Sequence, residues 1–207
     1  MMRSLIGLAA FAAAVGILGL STDVFSQDKG KKEKAKAELK VKVGDTAPKF
    51  SGVDENGKAW KSEDHVGKKV LVVYFYPADF TGGCTAQACG FRDDIEKLSG
   101  KGVEVVGVSG DTAETHSAFK KHHKLPFTLL ADDKGDIAKA FGVPVGKGGK
   151  ATFKDDGKVT EFVRGVTISR YTVVIDKDGK VAAIDAVSKA GEDPKRVADI
   201  VNKIASK

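Results

Sequence analysis

Residues 70–76 (VLVVYFY) constrain the fold of this chain more than any other stretch. Seven consecutive apolar or aromatic side chains form a β run that needs cover on both faces, as a strand inside a sheet has. Residues 103–109 (VEVVGVS) repeat the pattern. Between them, residues 85–98 take helical spacing, with Phe91, Ile95 and Leu98 on one side. A further helix is expected at 113–121 behind Asp111-Thr112 as a possible cap. A short strand at 127–130 behind Pro126 and a short helix at 137–141 follow. Three hairpins complete the pattern. The first pairs 49–53 with 58–61 about Asn56-Gly57. The second pairs 152–153 with 159–163 across Asp156-Gly157. The third pairs 171–176 with 181–186 and turns at Asp178-Gly179. The last helix opens with Asp193 as its cap and Pro194 at its first position. Its apolar stripe is Val197, Ile200, Val201 and Ile204. The order predicts an α/β fold: a mixed central sheet, helices on both faces and an N-terminal β-hairpin. No internal repeat is visible.

The 207 residues suit one domain, expected at 41–207. The N-terminus reads differently. Residues 4–22 are uncharged after Arg3, and the apolar stretch 5–20 is short for a spanning helix. In Val24-Phe25-Ser26, Val24 and Ser26 put short side chains at the −3 and −1 positions of a cut after Ser26. Residues 1–26 therefore read as a secretory signal peptide. The alternative is an uncleaved membrane anchor, which alone would tie the chain to a membrane. Residues 27–40 hold a single Leu among Lys, Ala and Glu, and read as a flexible tether. This predicts an exported protein, periplasmic or extracellular.

The net charge is +6. Residues 28–40 supply +3 of it, from six Lys against Asp28, Glu33 and Glu38. Half the excess thus lies in the tether, whereas a nucleic-acid site needs a dense basic face on the fold. No nucleic-acid partner is expected.

Two cysteines cannot form a disulfide framework, nor a zinc site of three or four cysteines. Cys84 and Cys89 with His116 and His122 loosely match finger spacings, but a whole predicted strand lies between the pairs. The four histidines, His65, His116, His122 and His123, read as surface or packing residues. No metal is expected. Asp93-Asp94, Asp132-Asp133 and Asp155-Asp156 are adjacent pairs whose side chains diverge, which argues against paired acid–base work. Residues 142–148 (GVPVGKG) are one spacer short of a P-loop and lack Ser or Thr after Lys147.

The informative stretch is residues 74–94, YFYPADFTGGCTAQACGFRDD. A buried strand ends at Pro77, and after a short loop Cys84 stands where the next helix begins. A helix N-terminus presents free N–H groups and partial positive charge, which favour a thiolate. Thr81, three residues earlier, could hydrogen-bond the sulfur or an oxygen beside it. Local chemistry leaves open a reactive thiol, a buried inert one, and half of a structural bridge. Arg92 reads as a surface ion-pair partner placed near enough to shape the site.

Pro77-Ala-Asp-Phe-Thr81-Gly-Gly-Cys84 resembles the P-x-x-x-T-x-x-C motif of peroxiredoxins. Cys89, followed by Phe91-Arg92-Asp93, resembles the bacterioferritin-comigratory-protein or peroxiredoxin Q branch, in which the resolving cysteine often lies in the same helix. Residues 106–111 (VGVSGD), His116, Phe119, Leu125-Pro126-Phe127, Asp132, Gly135 and Phe141-Gly142-Val143 also look like that branch. Arg170 falls where the family places its active-site arginine. The resemblance runs from about Gly44 to the C-terminus.

What the resemblance implies is a thioredoxin-like fold and a thiol-dependent peroxidase. Cys84 would attack hydrogen peroxide or an organic hydroperoxide, and its sulfenic acid would condense with Cys89. Thr81 and the Cys84 N–H would hold the peroxide oxygens, Arg170 would stabilise the charge, and Pro77 would shield the sulfur. A thioredoxin-like dithiol protein would return the electrons. No cofactor is implied, and the branch is often monomeric. Joining residues five apart in a helix requires local unwinding. Their Cα atoms lie roughly 8–9 Å apart in an intact helix, and a disulfide spans less than about 7 Å. Gly90 would ease that step.

Three departures stand out. Gly82-Gly83 replaces Pro or Ser before Gly, and Gln87 stands at a commonly acidic position. Neither need touch the chemistry. Residues 145–163 are long and Lys/Gly-rich, which leaves the pocket rim open. Two rival readings are an exported thioredoxin-fold copper chaperone and a non-enzymatic domain with a permanent Cys84–Cys89 bridge.

Overall fold

A computed structural model describes residues 39–205 apart from residue 156. The expected leader and all but the last two residues of the tether lie outside the described residues.

The central sheet has seven strands in the order β2-β1-β5-β4-β3-β8-β9. Its middle is the predicted pair, β3 (Val70–Phe75) and β4 (Val103–Ser109), which run parallel with Val72 opposite Val105. The helix α1 (Gly82–Ser99) connects them. β5 (Thr128–Ala131) continues the parallel set beyond α2 (Ala113–His123). On the other side, β8 (Tyr171–Ile175) and β9 (Val181–Ala186) add antiparallel strands. The N-terminal hairpin, β1 (Ser51–Asp54) with β2 (Ala59–Lys61), pairs antiparallel to β5 and closes the far edge.

The apolar run of β3 works as expected, because alternate side chains serve opposite faces. Val70, Val72, Tyr74 and Tyr76 pack with Phe91 of α1, Phe119 of α2 and Val197 and Val201 of α4 (Asp193–Ala205). Leu71, Val73 and Phe75 pack with Phe50, Trp60 and with Ile137 and Phe141 of α3 (Asp136–Phe141). The two layers bury nearly every large apolar side chain, at roughly 1.5–3 kcal/mol for each one fully removed from water. Among the described residues no helix is long and apolar enough to cross a membrane.

Three details depart from expectation. The second hairpin is far longer: β6 (Val145–Asp155) and β7 (Lys158–Ile168) form their own two-stranded sheet. The Gly and Lys content of β6 hides a strand whose order comes from pairing with the Val/Thr-rich β7, since β-propensity is largely context. α1 begins at Gly82 rather than Thr85, with Thr81 as N-cap in extended conformation. Asp193 does not act as a simple cap. A 3-10 turn, Ala190–Glu192, precedes it, its own backbone is helical, and its buried carboxylate serves side chains elsewhere.

Candidate thiol site

The loop 77–81 leaves the C-terminal end of β3 and turns straight into α1. Thr85 N–H donates to Thr81 O at 2.8 Å, which makes it the first intrahelical bond. The N–H groups of Gly82, Gly83 and Cys84 therefore have no acceptor within the helix. Cys84 lies in that first turn, 1% exposed, and both cysteines are free thiols. Arg170, just before β8, donates from Nη2 to Cys84 Sγ at 3.0 Å. Sulfur thus sits between the free N–H groups of a helix N-terminus and a guanidinium that donates to it.

Arg170 is itself held. Its Nη1 donates to Gln87 Oε1, one turn along α1. Gln87 Nε2 donates to Asp193 Oδ2 at 2.8 Å, and Thr172 Oγ1 reaches the same oxygen at 2.6 Å. Arg196 donates to Asp193 Oδ1 from Nε at 3.0 Å and from Nη2 at 2.7 Å. Gln87, a departure that need not touch the chemistry, is fully buried and hydrogen-bonded directly to the sulfur's partner. No local pattern marks Gln87 and Asp193 as partners, since 106 residues separate them.

Thr81 directs its hydroxyl to Ala78 O at 2.9 Å, not to the sulfur. That bond fixes the loop and leaves lone pairs on the oxygen. Pro77 is half-buried in the same loop. Phe80 holds φ at +57°, a conformation costly for a residue with a side chain. It is stacked on Phe153 and Phe162 of the β6–β7 arm, with centroids at 4.4 and 4.7 Å. The arm is anchored at its base, where Gly165 N–H donates to Gly110 O at 2.9 Å. A Cβ at Gly110 would collide with the Val166 carbonyl, so the close approach requires glycine.

Beneath the loop, His116, expected as a surface or packing residue, pairs with Asp79. His116 and Asp79 are fully buried, with Nδ1 to Oδ2 at 2.7 Å. His116 Nε2 faces Leu130 O at 3.2 Å. Both ring nitrogens face acceptors, so the protonated ring satisfies both. Burial alone lowers the His116 pKa, but the charge and hydrogen bond of Asp79 outweigh it and raise the value. Tyr76 OH donates to Asp79 Oδ1 at 2.8 Å, and Asp79 N–H donates to Asp111 Oδ2 at 2.9 Å.

Cys89 lies further along the intact α1, half-buried, against the end of α2. Its sulfur is 3.9 Å from His123 Nδ1. Arg92 Nη1 donates to His123 O at 2.8 Å and ties the two helices there. Gly90 also has a packing role beyond the expected easing of the helix. A Cβ there would lie 2.7 Å from Pro194 Cγ, so glycine lets α4 approach α1. Among the described residues, no group of three or more His, Cys, Asp or Glu side chains could hold a metal ion.

A reduced cysteine under an arginine, at the head of the helix that follows a buried strand, defines a thioredoxin-like thiol enzyme. The AhpC/TSA family model matches residues 43–184, and the chain belongs to that family. It is a peroxiredoxin, a thiol-dependent peroxidase. Over 145 residues, or 70% of this chain, it is 44% identical to chloroplastic peroxiredoxin Q of Sedum lineare, of which the match spans 69%. Chloroplastic peroxiredoxin Q of Arabidopsis thaliana is 43% identical over 145 residues, and the match spans 59% of its length. Among solved structures, peroxidoxin BcpB of Mycobacterium tuberculosis is similar at TM-score 0.66 and 27% identity, covering 79% of this chain and 98% of that one. Peroxiredoxin Q of Xanthomonas campestris, at TM-score 0.63 and 23% identity over 81% of this chain and 98% of that one, bears on the fold alone. The copper-chaperone and structural-bridge readings are not favoured. The expectation of an exported, periplasmic or extracellular protein is also corrected: the peroxiredoxin Q relatives of Sedum lineare and Arabidopsis thaliana are chloroplastic proteins.

Proposed function

We propose that Cys84 is the peroxidatic and Cys89 the resolving cysteine, within a domain spanning 41–207. The observation that carries this reading is the 3.0 Å bond from Arg170 Nη2 to Cys84 Sγ at a helix N-terminus. The Cys84 sulfur attacks one peroxide oxygen, the O–O bond breaks, and water or an alcohol leaves. Thr81 Oγ1 and the free Cys84 N–H hold the peroxide oxygens. Arg170 stabilises the sulfur before attack and the charge that moves onto the leaving oxygen. Pro77 limits water at the sulfur. The resulting sulfenic acid condenses with Cys89 to a disulfide and water. A thioredoxin-like dithiol protein reduces that disulfide. Hydrogen peroxide and organic hydroperoxides are the substrates. We read the working unit as a monomer, as the branch that the motif around Cys84 and Cys89 resembles often is.

The test mixes fully reduced protein with one equivalent of hydrogen peroxide and follows peroxide and free thiols. Rapid loss of both thiols is expected, with no reaction in Cys84→Ser and arrest at the sulfenic acid in Cys89→Ser. Thiols that survive many minutes in the unaltered protein overturn the assignment.

A further inference from the structure

We propose that His123 is the general base for the resolving step, taking the proton from the Cys89 thiol through Nδ1 before Cys89 attacks the Cys84 sulfenic acid. This rests on the assignment of Cys89 as the resolving cysteine. It adds a second catalytic centre, supplied by the C-terminal end of α2.

The geometry carries it. His123 Nδ1 is 3.9 Å from Cys89 Sγ, within reach of a hydrogen bond to sulfur. His123 Nε2 is buried and, among the described residues, has no hydrogen-bond partner. Nothing at Nε2 therefore dictates the tautomer, and the thiol S–H, a donor, is matched by an unprotonated Nδ1. The contact is also held in place, because Arg92 binds the His123 carbonyl and spans α1 and α2 one turn beyond Cys89. Phe119 meets the His123 ring edge-on at 4.9 Å, and Phe80 lies at 6.0 Å.

The charged groups around the ring suit a base. Burial, then His122 on its own helix and Arg92 on α1, lower the His123 pKa, and Asp79 in the site loop opposes them. The ring is thus neutral, and able to accept a proton, to lower pH than an ordinary histidine. Arg92 faces the same sulfur and compensates the thiolate when the proton has gone.

The step balances. His123 accepts the Cys89 proton. The Cys89 thiolate attacks the Cys84 sulfur, the S–S bond forms and the S–O bond breaks. The sulfenic sulfur is reduced and the attacking sulfur oxidised. Hydroxide leaves and takes a proton from solvent to become water, and His123 returns its proton to solvent. Helix α1 opens between the two cysteines for the attack. The proton transfer precedes that opening, while Cys89 and His123 are still together.

The experiment separates the two half-reactions in the full, reduced chain. Peroxide consumption and disulfide formation are each followed after one equivalent of hydrogen peroxide, from pH 5 to 8, with a sulfenic-acid trap. For the unaltered protein, disulfide formation should slow as pH falls through a value below the ordinary histidine range. His123→Asn should consume peroxide at the same rate, form the disulfide about 10²-fold more slowly and lose that acidic limb. His123→Gly with added imidazole should recover part of the rate, whereas His122→Asn should keep the limb. Unchanged disulfide formation in His123→Asn, or an unaltered protein with no acidic limb, overturns the inference and leaves the Cys89 assignment standing. If Cys89→Ser still loses its sulfenic acid as fast as the unaltered protein, the assignment of Cys89 fails, and the role of His123 with it.

Discussion

Arg170 and Cys84 are 86 residues apart in sequence, yet the guanidinium donates directly to the sulfur at 3.0 Å. The arginine enters from the end of β7 and is aimed by Gln87, which is aimed in turn by Asp193. Charge stabilisation at the sulfur is therefore pre-built rather than assembled on binding. Arg170→Met is expected to slow peroxide reduction about 10²-fold, in line with removal of one pre-aimed donor. Stopped-flow peroxide consumption checks this, and a rate within twofold of the original would refute it.

Gln87→Leu keeps the volume but breaks the link between Arg170 and Asp193. The arginine should lose its aim without losing its charge, so the rate should fall less than in Arg170→Met, by about tenfold. The basis is that small misplacements are costly when reacting groups must be held in near-attack geometry. Comparing the two variants at several pH values is the measurement, and Gln87→Glu should recover more activity than Gln87→Leu.

The His116–Asp79 pair makes stability depend on pH in a stated direction. The His116 pKa is raised in the fold, so its contribution is fully present below the unfolded value and is lost as pH rises through the folded one. Urea unfolding should therefore show a falling midpoint across the alkaline side of the histidine range. His116→Gln should remove that dependence and cost about 3–5 kcal/mol, because Asp79 is left buried without its cation.

Oxidation should open α1. In the reduced chain the helix is continuous from Gly82 to Ser99, and both thiols are free. A Cys84–Cys89 disulfide is too short for that geometry. Hydrogen-exchange protection over residues 85–91 should fall on oxidation and return on reduction, and equal protection in both forms would count against the disulfide assignment.

The aromatic stack of Phe80 with Phe153 and Phe162 should hold the site loop shut. Phe162→Ala removes one stacked pair, worth about 0.5–1.5 kcal/mol beyond its buried area. Exchange at the Phe80 and Thr81 amides should speed up several-fold, with little change in the rest of the sheet.

The elements legible in the sequence are those whose reasons are local. Residues 70–76 announced a strand covered on both faces, and the alternation of Val72 and Tyr74 against Val73 and Phe75 bears that out. The turns at Asn56-Gly57 and Asp178-Gly179 marked their hairpins. The resemblance around Pro77, Thr81 and Cys84 pointed to the thiol chemistry, and Arg170 came with it. The reach of β6 and β7 was hidden, because the Gly and Lys residues of one strand carry no pattern until the other pairs with them.

The sequence by itself therefore determined the layered α/β frame and the place of Cys84 at a helix start. Hydrophobic periodicity and turn chemistry act over a few residues, and they are written in order along the chain. Only the tertiary structure decided that Gln87 and Asp193 aim Arg170, that Asp79 meets His116 beneath the loop, and that His123 reaches Cys89. Those pairs are chosen by burial, where a polar group must find whichever partner the packing brings. Packing joins residues between 34 and 106 positions apart here, a distance at which local pattern is silent.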